Sequence, residues 1–114
     1  MMVYLEDSAD NKKELYRLYN AVSKELFGVG TASLKVSIEE DLITIRAKHH
    51  RATRSLSLEK ENPDLKQAVD FQLSSMFKSQ LYEKLETELN IQIEAIFRDY
   101  DSPTQLAFTN VVMK

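Results

Sequence analysis

The chain has 114 residues, of which 43% are apolar and 29% are charged, and it contains no cysteine. This length suits a single domain, and the composition is typical of a globular protein. Without cysteine, disulfides, thiolate catalysis and cysteine-based zinc sites are excluded. A net charge of −3 argues against general affinity for nucleic acid or for anionic membranes.

The sequence pattern argues against export and membrane insertion. No apolar run approaches the roughly 20 residues of a membrane-spanning helix. The opening segment, MMVYLEDSAD, is acidic where a secretion signal needs basic residues. We therefore expect a cytoplasmic protein, with residues 1–10 as an N-terminal tail and residues 11–114 as one domain.

The first half of the chain predicts one helix followed by a β-hairpin. Between Ser8 and Phe27, apolar residues recur with helical spacing on one face. Gly28 is the expected left-handed residue after the helix end. Residues 33–39, SLKVSIE, and residues 42–48, LITIRAK, alternate apolar and polar side chains, as half-buried strands do. A tight acidic turn joins these strands into an antiparallel hairpin.

The second half predicts a long helix from Pro63 to Leu89, because Asn62 is a good N-cap and proline suits the first helical position. Its apolar residues recur every four positions: Leu65, Val69, Leu73, Phe77, Leu81, Leu85 and Leu89. Such a row drifts by about 40° per step, so one sheet cannot cover it all. We predict that the first half of the helix lies on the sheet, that the second half faces elsewhere, and that the helix overhangs the strands.

The second half of this helix, which faces away from the sheet, has two possible packing partners. It either packs against the first helix or forms an interface with a second copy of the chain. We predict a two-fold homodimer. The predicted interface residues are Phe71, Tyr82, Leu85 and Leu89.

Two further strands complete the predicted fold. Residues 91–98 alternate, which puts Phe97 on the inner face and Arg98 on the outer face. Residues 99–104, DYDSPT, are a loop by composition, and residues 105–113 form a fourth strand whose inner face is ambiguous. The fold class is α+β, an αββαββ two-layer sandwich with two helices on one face of a four-stranded mixed sheet. In this sheet the third strand is parallel to the second.

This topology brings three loops to one end of the sheet: the glycine turn at residues 27–30, the basic segment at residues 47–56, AKHHRATRSL, and the acidic segment at residues 99–101. The ends of strands that share one direction often form ligand clefts. We therefore predict that this end contacts a ligand or a partner. The predicted contact residues are His50, Arg51, Arg54, Asp99, Tyr100 and Asp101.

The histidines are a weak signal for metal binding or catalysis. His49 and His50 are adjacent and are the only histidines, so a metal would lack further ligands of the usual spacing. No nucleophile elbow or complete phosphate-binding loop is present. We predict no metal, no cofactor and no enzymatic activity. The weaker alternative is an enzyme that uses either histidine as a general base.

The cations of the basic segment have two possible partners. Arg51 and Arg54 can bind a phosphate or carboxylate bidentately, with Lys48 adding charge. Asp99 and Asp101 of the same chain are equally available. We predict no nucleic-acid binding, because the basic segment lacks an aromatic stacking platform.

Four short segments, in this order and spacing, resemble the MpsC-like family: LFGVG after the first helix, HHR after the second strand, FK in the long helix and DYD before the last strand. The resemblance covers nearly the whole chain after about Asn11. This small bacterial family is named for a component of a sodium-translocating, membrane-potential-generating system that is linked to bicarbonate uptake. The resemblance implies a small accessory protein beside integral-membrane transport subunits, with no catalytic residues or cofactor to carry over.

These observations lead to one expected function and one alternative. We expect a non-enzymatic accessory or regulatory interaction protein whose partners are a second copy and membrane transporter subunits. The alternative is a sensor domain that binds a small anion, phosphate or carboxylate. Both predictions use the same charged end of the sheet.

Overall fold

A computed structural model of the chain describes residues 4–50 and 53–114, with side chains at 4–50 and 57–114. It contains three helices and four strands within these ranges: α1 (Ala9–Phe27), β1 (Ser33–Glu39), β2 (Leu42–Lys48), α2 (Thr53–Glu61), α3 (Pro63–Leu89), β3 (Ile93–Asp101) and β4 (Leu106–Met113). All six predicted elements are present. Helix α2 is an addition, in a segment where no element was predicted.

The caps at Gly28 and Asn62 are as predicted, and Ser8 provides a further cap that was not predicted. Ser8 Oγ accepts a hydrogen bond from the Asn11 backbone N–H at 3.1 Å, so it caps α1. Gly28 ends that helix with a φ of 79°, and its N–H donates to the Lys24 carbonyl at 2.9 Å. At the start of α3, Asn62 Oδ1 accepts from the Leu65 N–H at 3.1 Å. These local interactions fix both long helices.

The four strands form one sheet in the order β1-β2-β4-β3, and every neighbouring pair is antiparallel. The predicted mixed sheet is therefore wrong. Strands β2 and β3 do run in the same direction, as expected, but β4 lies between them and pairs with both. The β3–β4 hairpin places β4 in the centre, so no parallel pair forms.

One core joins the inner face of the sheet to α1 and the second half of α3. Its largest fully buried side chains come from both kinds of element: Tyr19, Phe77, Leu15, Leu18, Ile43, Ile45, Leu81, Leu85 and Met113. The hairpin β1–β2 turns Val36 and Ile38 inward as predicted. In β4 the ambiguous pattern resolves with Ala107 and Val111 on the inner face.

Strand β3 departs from the predicted alternation because it contains a β-bulge. Ile93 pairs with Met113 but Ala95 pairs with Val112, so one extra residue lies between them. After the bulge the inner and outer faces exchange. Phe97 is 59% exposed, whereas Arg98 lies on the inner face. The predicted placement of Phe97 and Arg98 is therefore wrong. The predicted loop at residues 99–101 also belongs to this strand.

The two halves of α3 have the opposite environments to those predicted. Phe77, Leu81 and Leu85, in the second half, are fully buried in the core. The first half carries four exposed apolar side chains: Leu65, Val69, Phe71 and Met76. The short connection from α3 to β3 explains this result, because it holds the C-terminal half of the helix beside the sheet. The predicted overhang of the helix past the strands stays a prediction. The longest dimension of the molecule is 52 Å.

None of the helices in the described ranges combines the length and the apolar character that crossing a bilayer requires. The segment before α1 contacts the core. Tyr4 and Leu5 are partly buried against it, although both lie within the predicted tail of residues 1–10.

Candidate functional site

The structure brings the three predicted segments together at one end of the sheet, here called the loop end (residues 28–33, 48–50 and 101–106). The Ala32 N–H donates to the Lys48 carbonyl at 2.7 Å, and the His49 N–H donates to the Gln105 carbonyl at 2.9 Å. The Gln105 N–H in turn donates to the Asp101 carbonyl at 2.8 Å. Backbone hydrogen bonds therefore connect all three segments.

Two separate sites meet at the loop end, one on each face of the sheet. Lys48 is exposed and lines the outer face, whereas the next residue, His49, is buried on the inner face. Successive residues of an extended chain point to opposite sides. The outer site is called the outer pocket (residues 33–35, 46, 48 and 103–106), and the inner site is called the inner cluster (Tyr19, His49, Ser74 and Arg98).

The outer pocket is an open cavity of about 720 Å³ between the β1–β2 hairpin and the turn before β4. Three cations line it: Lys35, Arg46 and Lys48. Lys35 lies directly opposite Arg46 in the strand pairing. The Arg46 guanidinium carbon lies 6.0 Å from the centre of the Phe108 ring, a cation–π geometry that holds the side chain over β4.

These cations have no nearby acid in the part of the chain that the structure describes. None of the three takes part in an ion pair there. Like charges that lie directly opposite each other destabilise an antiparallel pair. An anion bound between Lys35, Arg46 and Lys48 would remove this repulsion and gain charge-assisted hydrogen bonds.

The predicted acidic contacts lie on the same outer face but on the other side of β4. Asp101 pairs with Leu106, which pairs with Lys48. Two strand spacings of about 4.8 Å separate the backbones of β2 and β3, so the acids do not sit beside the cations. Asp101 Oδ2 instead accepts hydrogen bonds from Thr104, from its N–H at 3.2 Å and its hydroxyl at 2.6 Å.

The other predicted contact residues do not form one group with these acids, and two of them lie wholly or partly outside the described residues. Tyr100 is on the inner face, with its ring centre 6.2 Å from that of His49. His50 is exposed. Arg51 lies outside the described residues, and so does the side chain of Arg54, whose backbone belongs to α2. The predicted pairing of these arginines with the acids therefore stays a prediction.

The inner cluster centres on His49, which is 6% exposed. Its Nε2 lies 3.0 Å from the Tyr19 hydroxyl and 3.0 Å from Arg98 Nη2. Because a guanidinium only donates, Nε2 acts as an acceptor and the neutral ring carries its proton on Nδ1. Burial, together with the charges of Arg98 and His50, lowers the pKa of His49 to about 4. Burial also raises the pKa of Tyr19.

Arg98 is held by polar and aromatic groups. Its Nη1 donates to Ser74 Oγ at 2.6 Å, and its guanidinium carbon lies 4.4 Å from the centre of the Phe77 ring. Among the described residues, its Nε has no hydrogen-bond partner and no carboxylate forms an ion pair with it. Burial is the main cause of the lowered pKa of His49, and this positive charge lowers the pKa further.

A buried lysine lies beside the inner cluster. Lys66 is 4% exposed, forms an ion pair with Asp70 one helical turn away and lies 3.4 Å from Ser102 Oγ. Its Nζ is also 5.9 Å from the centre of the Tyr100 ring. These contacts fasten the first half of α3 to the turn before β4.

Sequence reasoning missed Arg98 and Lys35 as candidate site residues. Arg98 was assigned to the outer face because nothing in the sequence, such as a glycine, indicates the bulge. Lys35 did have a signal, since the hairpin turn at residues 39–41 fixes the register that places it opposite Arg46. Within residues 4–50 and 53–114, no cluster of three or more His, Asp or Glu side chains is arranged to hold a metal ion.

The predicted dimer residues on α3 do not form one surface. Leu85 is fully buried in the core of its own chain, so it cannot contact a second copy. Tyr82 and Leu89 pack partly against the same core. Only Phe71 is well exposed, at 70%. These four residues therefore do not share one exposed surface, and the oligomeric state stays a prediction.

Comparison with known proteins does not assign this chain to a family. No family model matches the sequence, and neither a curated protein nor a solved structure matches it. The resemblance to the MpsC-like family stays a prediction. The outer pocket and the inner cluster at the loop end are therefore the features that bear on function.

Proposed function

We propose that this protein is a non-enzymatic interaction protein that recognises an anionic group, phosphate or carboxylate, in the outer pocket. The observation that carries this proposal is the convergence of Lys35, Arg46 and Lys48 on one cavity without an acid among the described residues. The net charge of −3 means that acidic side chains outnumber basic ones in this chain, yet none forms an ion pair with these three cations among the described residues. Their isolation favours an external anion.

The chemistry of the pocket suits a small oxyanion. Arg46 offers a planar guanidinium for bidentate hydrogen bonds, and its stacking over Phe108 limits the orientations it has to give up on binding. Lys35 and Lys48 add two further positive charges to the lining of the pocket. Pro103, Thr104 and Gln105 supply a wall that partly shields the bound group from water.

The inner cluster supports binding over catalysis. A general base needs a free acceptor atom within reach of a substrate. His49 Nε2 already has two donors at 3.0 Å, and the side chain is 6% exposed. We interpret His49 as a residue that holds Tyr19 and Arg98 in place beneath the pocket.

The setting of this activity is an accessory or regulatory role in the cytoplasm, as the cysteine-free composition favours. The resemblance to the MpsC-like family favours a transport system of integral-membrane subunits as the larger assembly. The anion is then either a dissolved ion, bicarbonate included, or a carboxylate of a protein partner.

A thermal-shift experiment tests anion recognition. Phosphate, bicarbonate and citrate, each at matched ionic strength, are compared with chloride, and at least one of them should raise the melting temperature because it binds the native state. The double substitution Arg46→Gln and Lys48→Gln should abolish the shift. The single substitution Lys13→Gln, at an exposed cation of α1, is the control and should leave the shift intact.

Two outcomes would contradict the proposal. If no oxyanion stabilises the unmodified protein beyond chloride, the outer pocket is not an anion site. If a shift persists in the double variant, an anion binds at another place. A shift that disappears only in the double variant supports the pocket.

A further inference from the structure

The outer face of the sheet, which lies opposite the core, is here called the open face. It carries apolar side chains that are exposed to solvent. It consists of the outward residues of all four strands. Phe97 is 59% exposed and Phe108 is 44% exposed. Leu42, Leu106 and Val112 are partly buried on the same face. Exposed apolar surface of this kind often marks a contact with another protein.

Charges are arranged on the open face in two rows that run in register from β2 through β4 to β3. The first row is Lys48, Leu106 and Asp101, and the second is Arg46, Phe108 and Asp99. Each row therefore has a cation on β2, an apolar side chain on β4 and an acid on β3. All four charged residues lack an ion-pair partner within the described part of the chain.

We propose that two copies of the chain dimerise through their open faces, with a two-fold axis parallel to β4. This axis exchanges the two sides of the sheet but keeps each row at the same height. Lys48 of each copy then lies opposite Asp101 of the second copy, and Arg46 lies opposite Asp99 of the second copy. Phe108 and Leu106, on the axis, each meet their own counterpart.

The self-complementary rows are the reason for choosing a second copy as the occupant. A two-fold interface requires one patch to match itself, and here two rows do so with the same polarity. Stacked sheets pack face to face about 10 Å apart, which leaves room for these side chains to meet. The exposed stripe on α3 (Leu65, Val69 and Met76) shows no comparable charge pattern, so it is the less favoured surface.

The size of the open face predicts a weak dimer. With the axis on β4, the three strands β2, β4 and β3 face the second copy, and at about 4.8 Å spacing and seven residues of about 3.3 Å rise they give a footprint of roughly 330 Å² per copy. This value is below that of a standard stable interface. The association is therefore expected to depend on concentration, and on ionic strength because the ion pairs are at the rim.

Sedimentation velocity with charge-reversed variants tests the interface. The unmodified protein is measured from about 1 µM to about 200 µM at low ionic strength, the range suited to a small interface. Arg46→Glu and Asp99→Lys should each be monomeric, because each places like charges opposite one another. An equimolar mixture of the two variants should recover the dimer, because both of its cross-pairs again have opposite charges.

The controls separate a lost contact from a lost fold. Lys13→Glu reverses an exposed cation away from the open face and should leave the dimer unchanged. Circular dichroism should show the same melting curve for both monomeric variants at low concentration. Recovery in the mixture cannot come from an unfolded variant, so it supports the proposed pairing directly.

Three results would overturn the dimer. These are an unmodified protein that stays monomeric throughout, a mixture that does not recover the dimer, and a dimer that survives both variants but is lost in Val69→Lys, which would assign the interface to α3. The failure of the dimer and the failure of the proposed function are distinguishable, although both use Arg46 and Lys48. A monomer that phosphate still stabilises retains the anion site, whereas a dimer without any anion shift retains the interface alone.

Discussion

His49 is a buried histidine that the fold keeps neutral. Its Nε2 accepts from Tyr19 and Arg98, and the guanidinium beside it opposes protonation. The hydrogen bonds therefore depend on the neutral ring. Acid that protonates this ring removes the acceptor from both donors and adds a second positive charge beside Arg98.

This arrangement predicts that stability falls as the pH falls from about 6.5 to about 4. The pKa of folded His49 is about 4, below its ordinary value of 6.5, so the unfolded chain binds the proton first. The contribution is complete above pH 6.5 and is lost on the way to pH 4, with a size on the order of 3 kcal/mol. Urea unfolding at several pH values measures it.

Substitutions of the two neighbouring histidines provide a test of this prediction and its control. His49→Gln keeps an acceptor but cannot titrate, so it should flatten the pH dependence. His50→Gln alters an exposed side chain and should leave the dependence unchanged. An equal loss of stability in His49→Gln and in the unmodified protein would show that another group is responsible.

Helix α3 has two halves that serve different purposes. The second half packs Phe77, Leu81 and Leu85 into the core, and the first half carries several exposed apolar side chains. Polar contacts attach that first half to the rest of the chain, from Lys66 to Ser102 and from Ser74 to Arg98. The apolar contribution of α3 to stability therefore comes mainly from the C-terminal part of the helix.

Two leucine substitutions in α3 test this division. Leu81→Ala should cost about 2–5 kcal/mol of unfolding free energy, because it opens a cavity at a fully buried position. Leu65→Ala, at a side chain that is 48% exposed, should change it by less than about 0.5 kcal/mol. Chemical denaturation of both variants provides the comparison. Similar costs would contradict the assignment of the two halves.

At the scale of the whole molecule, the anion site and the open face share Arg46 and Lys48. The two proposals together predict that a dissolved anion and the acids of a second copy compete for the same cations. Binding equilibria that share a site are linked reciprocally. We therefore expect the anion concentration to change the oligomeric state.

This linkage predicts that phosphate weakens the dimer more than chloride does at the same ionic strength. The dimer dissociation constant should rise several-fold across a phosphate titration followed by sedimentation velocity, because only the monomer exposes the pocket fully. Lys13→Gln should show the same response. A dissociation constant that ignores phosphate, in a protein that phosphate stabilises, would separate the two sites.

Much of this fold is predictable from local signals in the sequence. The caps at Ser8, Gly28 and Asn62 act within one helical turn, and the β1–β2 hairpin is fixed by its short turn. Strand order is different, because it depends on which edge a distant hairpin joins. The sequence contains no local signal that places β4 between β2 and β3.

The candidate site was only partly predictable for the same reason. The loop end follows from strand directions, and its three segments do meet there. The residues within it depend on side-chain parity, which the bulge after Ile93 reverses. Arg98 therefore moved to the inner face and Tyr100 with it, while Asp99 and Asp101 moved to the open face.

The bulge in β3 has a consequence for how this strand tolerates changes in length. A deletion of the Glu94 codon would leave Ile93 opposite Met113 and Ala95 opposite Val112, so every later side chain would keep its face. A deletion of the Phe97 codon, three positions on, would turn the Asp99 carboxylate into the core and expel Arg98. The strand should therefore tolerate deletion of the Glu94 codon but not deletion of the Phe97 codon.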